Sequence, residues 1–230
     1  MQTEREDAPQ KILILGGTAE ARLLAERLVA EGHDVTTSLA GRTVDPILPA
    51  GVVRIGGFGG AEGLAVYLKS EGFDRMIDAT HPFARRISEN AIKAAAISGV
   101  PLEQRMRPRW QKQPGDRWRS VSTLQAAAEA LPSSATVFLA LGRQYLGAFV
   151  RREDCRFVIR MVDAPEQPLT FADYALVLGK PASDPEREAD LFTAYGVTHL
   201  VCRNSGGPAG YAKILAARRL ALPVVMLERD

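Results

Sequence analysis

The sequence predicts an α/β protein built as two Rossmann-like lobes with mostly parallel sheets and a cleft between them. Three observations carry that expectation. Short runs rich in Val, Ile and Leu alternate with helical patterns along the whole chain, which marks βα units. The alternation restarts after "PRWQKQPGDRW", a stretch of little periodicity. The first apolar run ends in glycines directly ahead of a long helical pattern, the arrangement from which phosphate-binding turns are made.

Taken in order, "KILILGG" (11–17) reads as a buried strand ending in glycines, and "AEARLLAERLVAEG" as a helix that Gly32 is placed to end. "HDVTTSLAG" gives a second strand and "VVRIGGFGG" a short third. A helix over about 61–71 leads to the strand "RMIDA", the helix "FARRISENAIKAAAISG" and a strand in "VPLEQRMR". Beyond the break come strands at 136–142, 156–162, 174–179, 198–203 and 223–228, with helices notably at 185–195 and 208–219. A first domain over 1–112 and a second over 113–230 follow, and no sequence repeat connects them.

Composition narrows the function classes. The 230 residues carry a formal net charge of only +2, which favours neither nucleic acid nor a membrane surface as partner. No apolar run approaches the roughly 20 residues of a spanning helix, and the polar start "MQTEREDAPQK" lacks a signal-peptide pattern. Cys155 and Cys202 stand apart, and His33, His81 and His199 show no ligand spacing, so no metal is expected and a cytoplasmic location fits.

In sheets of this kind ligands bind outside the carboxyl ends of the strands, which directs attention to the loops. "LGGTAEAR" meets the dinucleotide fingerprint G-x-G-x-x-G/A as Gly16, Thr18 and Ala21, with the middle glycine replaced. Thr18 suits the N-cap, and the free N–H groups of the helix start suit a phosphate. The second strand runs out in "TTSLAGRT" with no acid to take a ribose hydroxyl. Ser38 and Arg42 stand there instead, a hydroxyl and a guanidinium that suit a 2′-phosphate and so point to NADPH over NADH. The glycines of "GGFGG" serve either close approach to a cofactor or strained turns alone.

Six motifs occur together: "GGTAEAR" (16–22), "SLAGRT" (38–43), "GGFGG" (56–60), "DATHPFA" (78–84), "LGR" (141–143) and "NSGG" (204–207). In this combination, over nearly its whole length, the chain resembles the precorrin-6A reductase family of cobalamin biosynthesis. The resemblance implies NADPH-dependent reduction of one double bond of a methylated, ring-contracted tetrapyrrole, precorrin-6A, to give precorrin-6B. It also implies an NADPH-binding first domain and a second on the tetrapyrrole side, with cofactor and macrocycle between them.

Residue by residue, the resemblance assigns Gly16, Gly17, Thr18, Ala19 and Arg22 to the cofactor turn. Ser38, Ala40, Gly41 and Arg42 fall on the adenosine-phosphate side, with Gly57 in the glycine loop, and Thr80 and His81 face the nicotinamide end. Arg143 and Asn204, Ser205, Gly206 and Gly207 fall in the second lobe, where the macrocycle is to be held. A precorrin is edged by carboxylates, which arginine pairs well. The basic run of Arg105, Arg107, Arg109, Lys112, Arg117 and Arg119 lies at the expected junction, and Tyr211 and Lys213 add donors. His81 is a candidate acid, but a water, a substrate carboxyl or Tyr211 would serve equally, and holding the nicotinamide or macrocycle is the role expected of Thr80 and His81. Asp78 is expected to brace that loop. The partners expected are the tetrapyrrole and the neighbouring pathway enzymes that take over product. Two other readings share some of these motifs: an NADPH-dependent reductase of a smaller unsaturated or imine substrate, and a non-catalytic NADPH-binding sensor.

Overall fold

The computed structural model describes residues 8–41, 46–208 and 210–229, and the chain divides into two compact units, one up to Met106 and one from Arg107. The first runs β1 (Lys11–Leu15), α1 (Ala19–Ala30), β2 (Asp34–Leu39), β3 (Val52–Ile55), α2 (Ala61–Ser70), β4 (Arg75–Asp78), α3 (Arg85–Ser98) and β5 (Leu102–Gln104). Its strands are all parallel, in the order β3-β2-β1-β4-β5. The central strand shows why the elements assemble this way. Ile12 and Ile14 pack with Ala21, Leu24, Ala25 and Leu28 of α1, spaced at helical intervals along one face. Leu13 and Leu15 point to the other face and pack with Leu64 and Leu68 of α2 and Ala91 of α3. A strand covered on both faces must be apolar throughout, which is what "KILIL" is. Gly32, at φ 89°, follows the end of α1 as expected.

The second unit runs β6 (Arg117–Val121), α4 (Leu124–Glu129), β7 (Thr136–Ala140), a 3-10 helix (Arg143–Phe149), β8 (Arg156–Met161), β9 (Tyr174–Leu178), α5 (Pro185–Ala194), β10 (His199–Arg203), α6 (Ala212–Arg219) and β11 (Pro223–Leu227). Its parallel sheet has the order β6-β11-β10-β7-β8-β9. Five of these strands, β9-β8-β7-β10-β11, repeat the order of the first sheet, with β6 added at the edge. The two halves therefore share a topology that no sequence repeat announced. Both sheets reverse strand order at one point, between β1 and β4 and between β7 and β10.

Several boundaries differ from the sequence reading. The stretch of little periodicity at 108–118 runs into the edge strand β6 from Arg117, and the "RWRSV" alternation is the period-two signal that identifies it. Trp110, within the stretch of little periodicity, is buried in the core of the second unit with Phe138, Phe192 and Ile214. The strand expected within 100–107 is confined to Leu102–Gln104. Helix α6 begins at Ala212 rather than 208, because Pro208 and the left-handed Gly210 (φ 74°) stand ahead of it. Helix α3 begins at Arg85, since Pro82 and Phe83 occupy a turn closed by the Ala84 amide donating to the His81 carbonyl at 2.7 Å.

Beneath the second sheet Arg160 of β8 donates to Glu188 of α5 at 2.8 Å, both side chains being buried. The other Glu188 oxygen accepts the Ala182 amide at 2.8 Å. Removing one partner of such a pair strands a charge away from water. Glu188→Ala is expected to lower the unfolding free energy of the second unit by about 3–5 kcal/mol, measured by urea denaturation.

Candidate functional site

The reversal of strand order in the first sheet places the loops after β1 and β4 side by side. Ladder bonds continue one step past the strand ends: Ala79 N–H donates to Leu15 O at 3.0 Å, Gly16 N–H to Ser38 O at 3.0 Å and Gly56 N–H to Leu39 O at 2.9 Å. Gly16 is required by space, because a Cβ there would stand 2.7 Å from Thr37 Cγ2. Gly17 is required by conformation, at φ 100°, with open space where its side chain would be.

Thr18 then performs two tasks with one hydroxyl. It accepts the Ala21 amide at 3.0 Å as the N-cap of α1 and donates to the Ala79 carbonyl at 3.0 Å. The cap leaves the remaining first-turn amides of a 12-residue helix directed at the turn. Ala19 lies exposed at the start of that helix, and Arg22 pairs with Glu26 at 2.6 Å. The turn therefore fits the phosphates of a dinucleotide by space, backbone geometry and helix polarity together.

Around this turn, Ser38 is buried in register with Leu15, while Ala40 and Gly41 lie exposed beyond the strand. Arg42 lies outside the described residues. Gly57 is exposed in the loop after β3.

After β4, Asp78 is buried and accepts both the Thr80 amide (3.1 Å) and the Thr80 hydroxyl (2.6 Å) with the same oxygen, Oδ1. Asp78 thus braces the loop, and the Thr80 oxygen, its proton given to Asp78, is an acceptor with the Ser88 hydroxyl 3.4 Å away. His81 Nδ1 accepts the Phe83 amide at 3.2 Å, which places the proton of the neutral ring on Nε2.

The corresponding loops of the second unit follow β7 and β10. Arg143 is exposed at the start of the 3-10 helix after β7. After β10 the Asn204 amide is fully engaged within the protein. Its Oδ1 accepts Trp110 N–H at 2.8 Å, and its Nδ2 donates to Trp110 O and to Glu228 Oε2, each at 3.1 Å. Trp110 Nε1 donates to Gly207 O at 2.6 Å, and the Arg229 guanidinium donates to Arg107 O at 3.1 Å. Gly206 is obligatory, since a Cβ there would lie 2.0 Å from Pro108 O. Ser205 caps its own turn by donating to Arg203 O. The loop after β10 is thus fastened to segment 107–110.

The other expected substrate residues separate into two groups. Tyr211 and Lys213 lie within the packed body of the second unit. The Tyr211 hydroxyl accepts from Arg218 at 3.1 Å, while Arg218 forks onto Asp116 at 2.8 and 3.1 Å. Lys213 Nζ donates to Gly210 O at 2.5 Å and lies 4.8 Å over the Trp110 ring. Arg105 belongs to the first unit and pairs with Glu103 at 2.6 Å, whereas Arg109 is exposed on the second. Sequence reasoning overlooked Arg203, whose guanidinium lies 4.8 Å over Tyr145, linking the two strand-end loops of the second sheet. Its position as the last residue of β10 was the available signal. Among the described residues, no group of three or more His, Cys, Asp or Glu is placed to hold a metal ion, and no helix is long and apolar enough to cross a membrane.

Two outcomes test this geometry. Thr18→Val, which removes cap and bridge together, is expected to lower stability by about 1–2 kcal/mol in chemical denaturation, with Thr18→Ser restoring most of the loss. Burial, reinforced by Arg160 and Arg203, holds the Lys213 ammonium below the ordinary lysine range, against Cys202 and Glu188. A lysine lowered in this way weakens the fold while charged in both states, and the penalty fades as pH rises through its folded value toward its unfolded value of about 10.4. Unfolding free energy followed upward from about pH 7 is therefore expected to gain on that of Lys213→Met.

Known proteins share this architecture and sequence. A family model described as "Precorrin-6x reductase CbiJ/CobK" matches residues 11–230. The chain is similar to the precorrin-6A reductase of Rhodobacter capsulatus, at 43% identity over 95% of this chain and 88% of the relative. It is similar to that of a Sinorhizobium species, at 46% identity over 95% and 85%. The cobalt-precorrin-6A reductase of Priestia megaterium is 30% identical over 95% and 90%. Among solved structures, a CobK precorrin-6A reductase superimposes with a TM-score of 0.93 at 43% identity, covering 96% of this chain and 88% of that one.

Proposed function

The chain belongs to the precorrin-6x reductase CbiJ/CobK family, and from that premise we propose that it reduces one double bond of metal-free precorrin-6A with NADPH to give precorrin-6B. The observation that carries the cofactor half is the glycine turn fastened by Thr18 at the strand-order reversal of the first sheet. Identity of 41–46% to precorrin-6A reductases, against 30% to the cobalt-precorrin-6A reductase of Priestia megaterium, favours the metal-free substrate.

NADPH, when bound, supplies the hydride, and a proton completes the two-electron reduction. Gly16 and Gly17 admit the phosphates against the backbone, and the capped start of α1 opposes their charge. Ala19 lines the same turn, and Arg22, held by Glu26, adds positive charge beside it. Ala40, Gly41 and Arg42 receive the adenosine-phosphate end, and the run from Thr36 to Thr43 carries no acid to repel a 2′-phosphate. Buried Ser38 anchors Gly16 through its carbonyl. Thr80, its proton directed to Asp78, presents an acceptor suited to a carboxamide NH2. His81 presents Nε2–H to the nicotinamide or the macrocycle as a positioning donor.

On the substrate side, Arg143 and Arg109 take carboxylates of the macrocycle, with Ser205 and the Gly206–Gly207 backbone shaping the loop beside them. Asn204, Lys213 and Tyr211 act from behind by holding that loop and its helix. Arg107 contributes through the fastened segment it belongs to.

The test is NADPH oxidation followed by absorbance with precorrin-6A, with its cobalt form and with neither. Turnover is expected with precorrin-6A and little without it. Failure of precorrin-6A to stimulate oxidation by the folded protein sinks the reading. His81→Ala is expected to weaken binding while retaining measurable turnover. A loss of about 10²–10⁴-fold in kcat with both affinities intact would instead make His81 the acid.

A further inference from the structure

The loop after β3 has glycine at 56, 57, 59 and 60 around Phe58. Gly56, Gly59 and Gly60 need glycine for their backbone, at φ 116°, 79° and 107°. Gly57 does not: its φ lies outside the left-handed region, and nothing stands within 4 Å of where a Cβ would be. No demand of the fold explains a glycine at 57, whereas close approach by a ligand would.

A stretch so rich in glycine has little stiffness of its own. Here it is held by Arg54, near the end of β3, which donates from Nη1 to Gly56 O and from Nη2 to Gly57 O, each at 2.7 Å. The guanidinium lies 3.9 Å over the Phe58 ring and 5.2 Å from that of Tyr67. Phe58 packs on Tyr67 at 5.3 Å, Tyr67 on Phe73 at 5.6 Å, and Lys11 Nζ lies 5.3 Å over Phe73. A column of two cations and three aromatic rings thereby ties the loop to α2 and to the start of β1.

The position of the loop gives the column its use. The Gly56 amide bonds to Leu39 O, so the loop stands beside the end of β2, where sheets of this strand order receive the ribose of a dinucleotide. We propose that Arg54 is a positioning residue for the adenosine half of the cofactor, fixing the Gly56–Gly57 backbone as the surface against which that half lies. The inference rests on the cofactor reading above. Arg54 acts through the loop carbonyls and its stack on Phe58, without contact to the nicotinamide end or the macrocycle.

The experiment compares the full chain with Arg54→Ala and Arg54→Lys, using 2′,5′-ADP and nicotinamide mononucleotide as probes of the two cofactor halves. For Arg54→Ala, the KM for NADPH and the inhibition constant for 2′,5′-ADP are expected to rise together by about tenfold, the effect of about 1.4 kcal/mol. kcat at saturating NADPH, the KM for precorrin-6A and inhibition by the mononucleotide are expected to stay within about twofold. Arg54→Lys, which keeps the cation over Phe58, is expected to lose less. Equal losses for both probes, or none in a folded variant, overturn the assignment. If Arg54→Ala does not fold, Gly57→Ala decides: an unchanged melting temperature with about tenfold weaker 2′,5′-ADP binding supports the inference, and unchanged binding overturns it. Failure of the unaltered chain to bind 2′,5′-ADP would overturn the cofactor reading itself.

Discussion

One hydroxyl group coordinates the first unit. Thr18 Oγ1 receives the Ala21 amide and gives its proton to the Ala79 carbonyl, so the cap of α1 and the end of β4 cannot move independently. The turn on one side and the Asp78-Thr80-His81 loop on the other are the two walls of the strand-order reversal in this sheet. A side chain with only a donor or only an acceptor could satisfy one wall and leave the other adrift. Serine or threonine is therefore required for reasons of hydrogen-bond capacity as much as helix propensity. Ligand-facing groups on rigid elements stay precise, and here that precision passes through a single oxygen.

The fold was largely legible because its signal is repetitive. Apolar strands covered on both faces, such as "KILIL" and "TVFLA", have few alternative conformations, and Thr18 and Gly32 mark the ends of α1 plainly. What escaped was local or long-range. The edge strand β6 is short and half charged, so its alternation resembled a basic loop. The internal bonds of Asn204 were not legible because no pattern in the sequence joins it to Trp110, ninety-four positions away. The internal contacts of Tyr211 and Lys213 were hidden in the same way, since packing within the second unit decides what they touch. Asp78 was read correctly because its partner, Thr80, is only two residues on, within the reach of local reasoning.

The two sheets, sharing a strand order, have been used differently. In the first, the loops at the reversal hold small residues and open backbone: Gly16, Gly17 and Ala79. In the second, the corresponding loops carry Arg143 and an Asn204 that is consumed by internal bonds, and Arg203 stacks on Tyr145 beside them. Backbone N–H groups suit phosphates, while guanidinium groups suit carboxylates. The contrast shows one strand order carrying two kinds of loop, one of open backbone and one of guanidinium groups and internal bonds.

The pairing of β6 with β11 has a kinetic side. A ribosome releases the chain from its N-terminus, so the first unit, whose sheet closes within its own residues, has all its strands available early. Residues 107–121 emerge next but have to wait for residues about a hundred positions on, because Arg107, Trp110 and β6 find their partners at Asn204, β11, Glu228 and Arg229. During that interval an edge strand and a core tryptophan remain without their native neighbours. Contacts so distant in sequence slow the closing step. Pairing with β11 is thus the event that lets the second unit close, and it comes after the first unit already has all its strands.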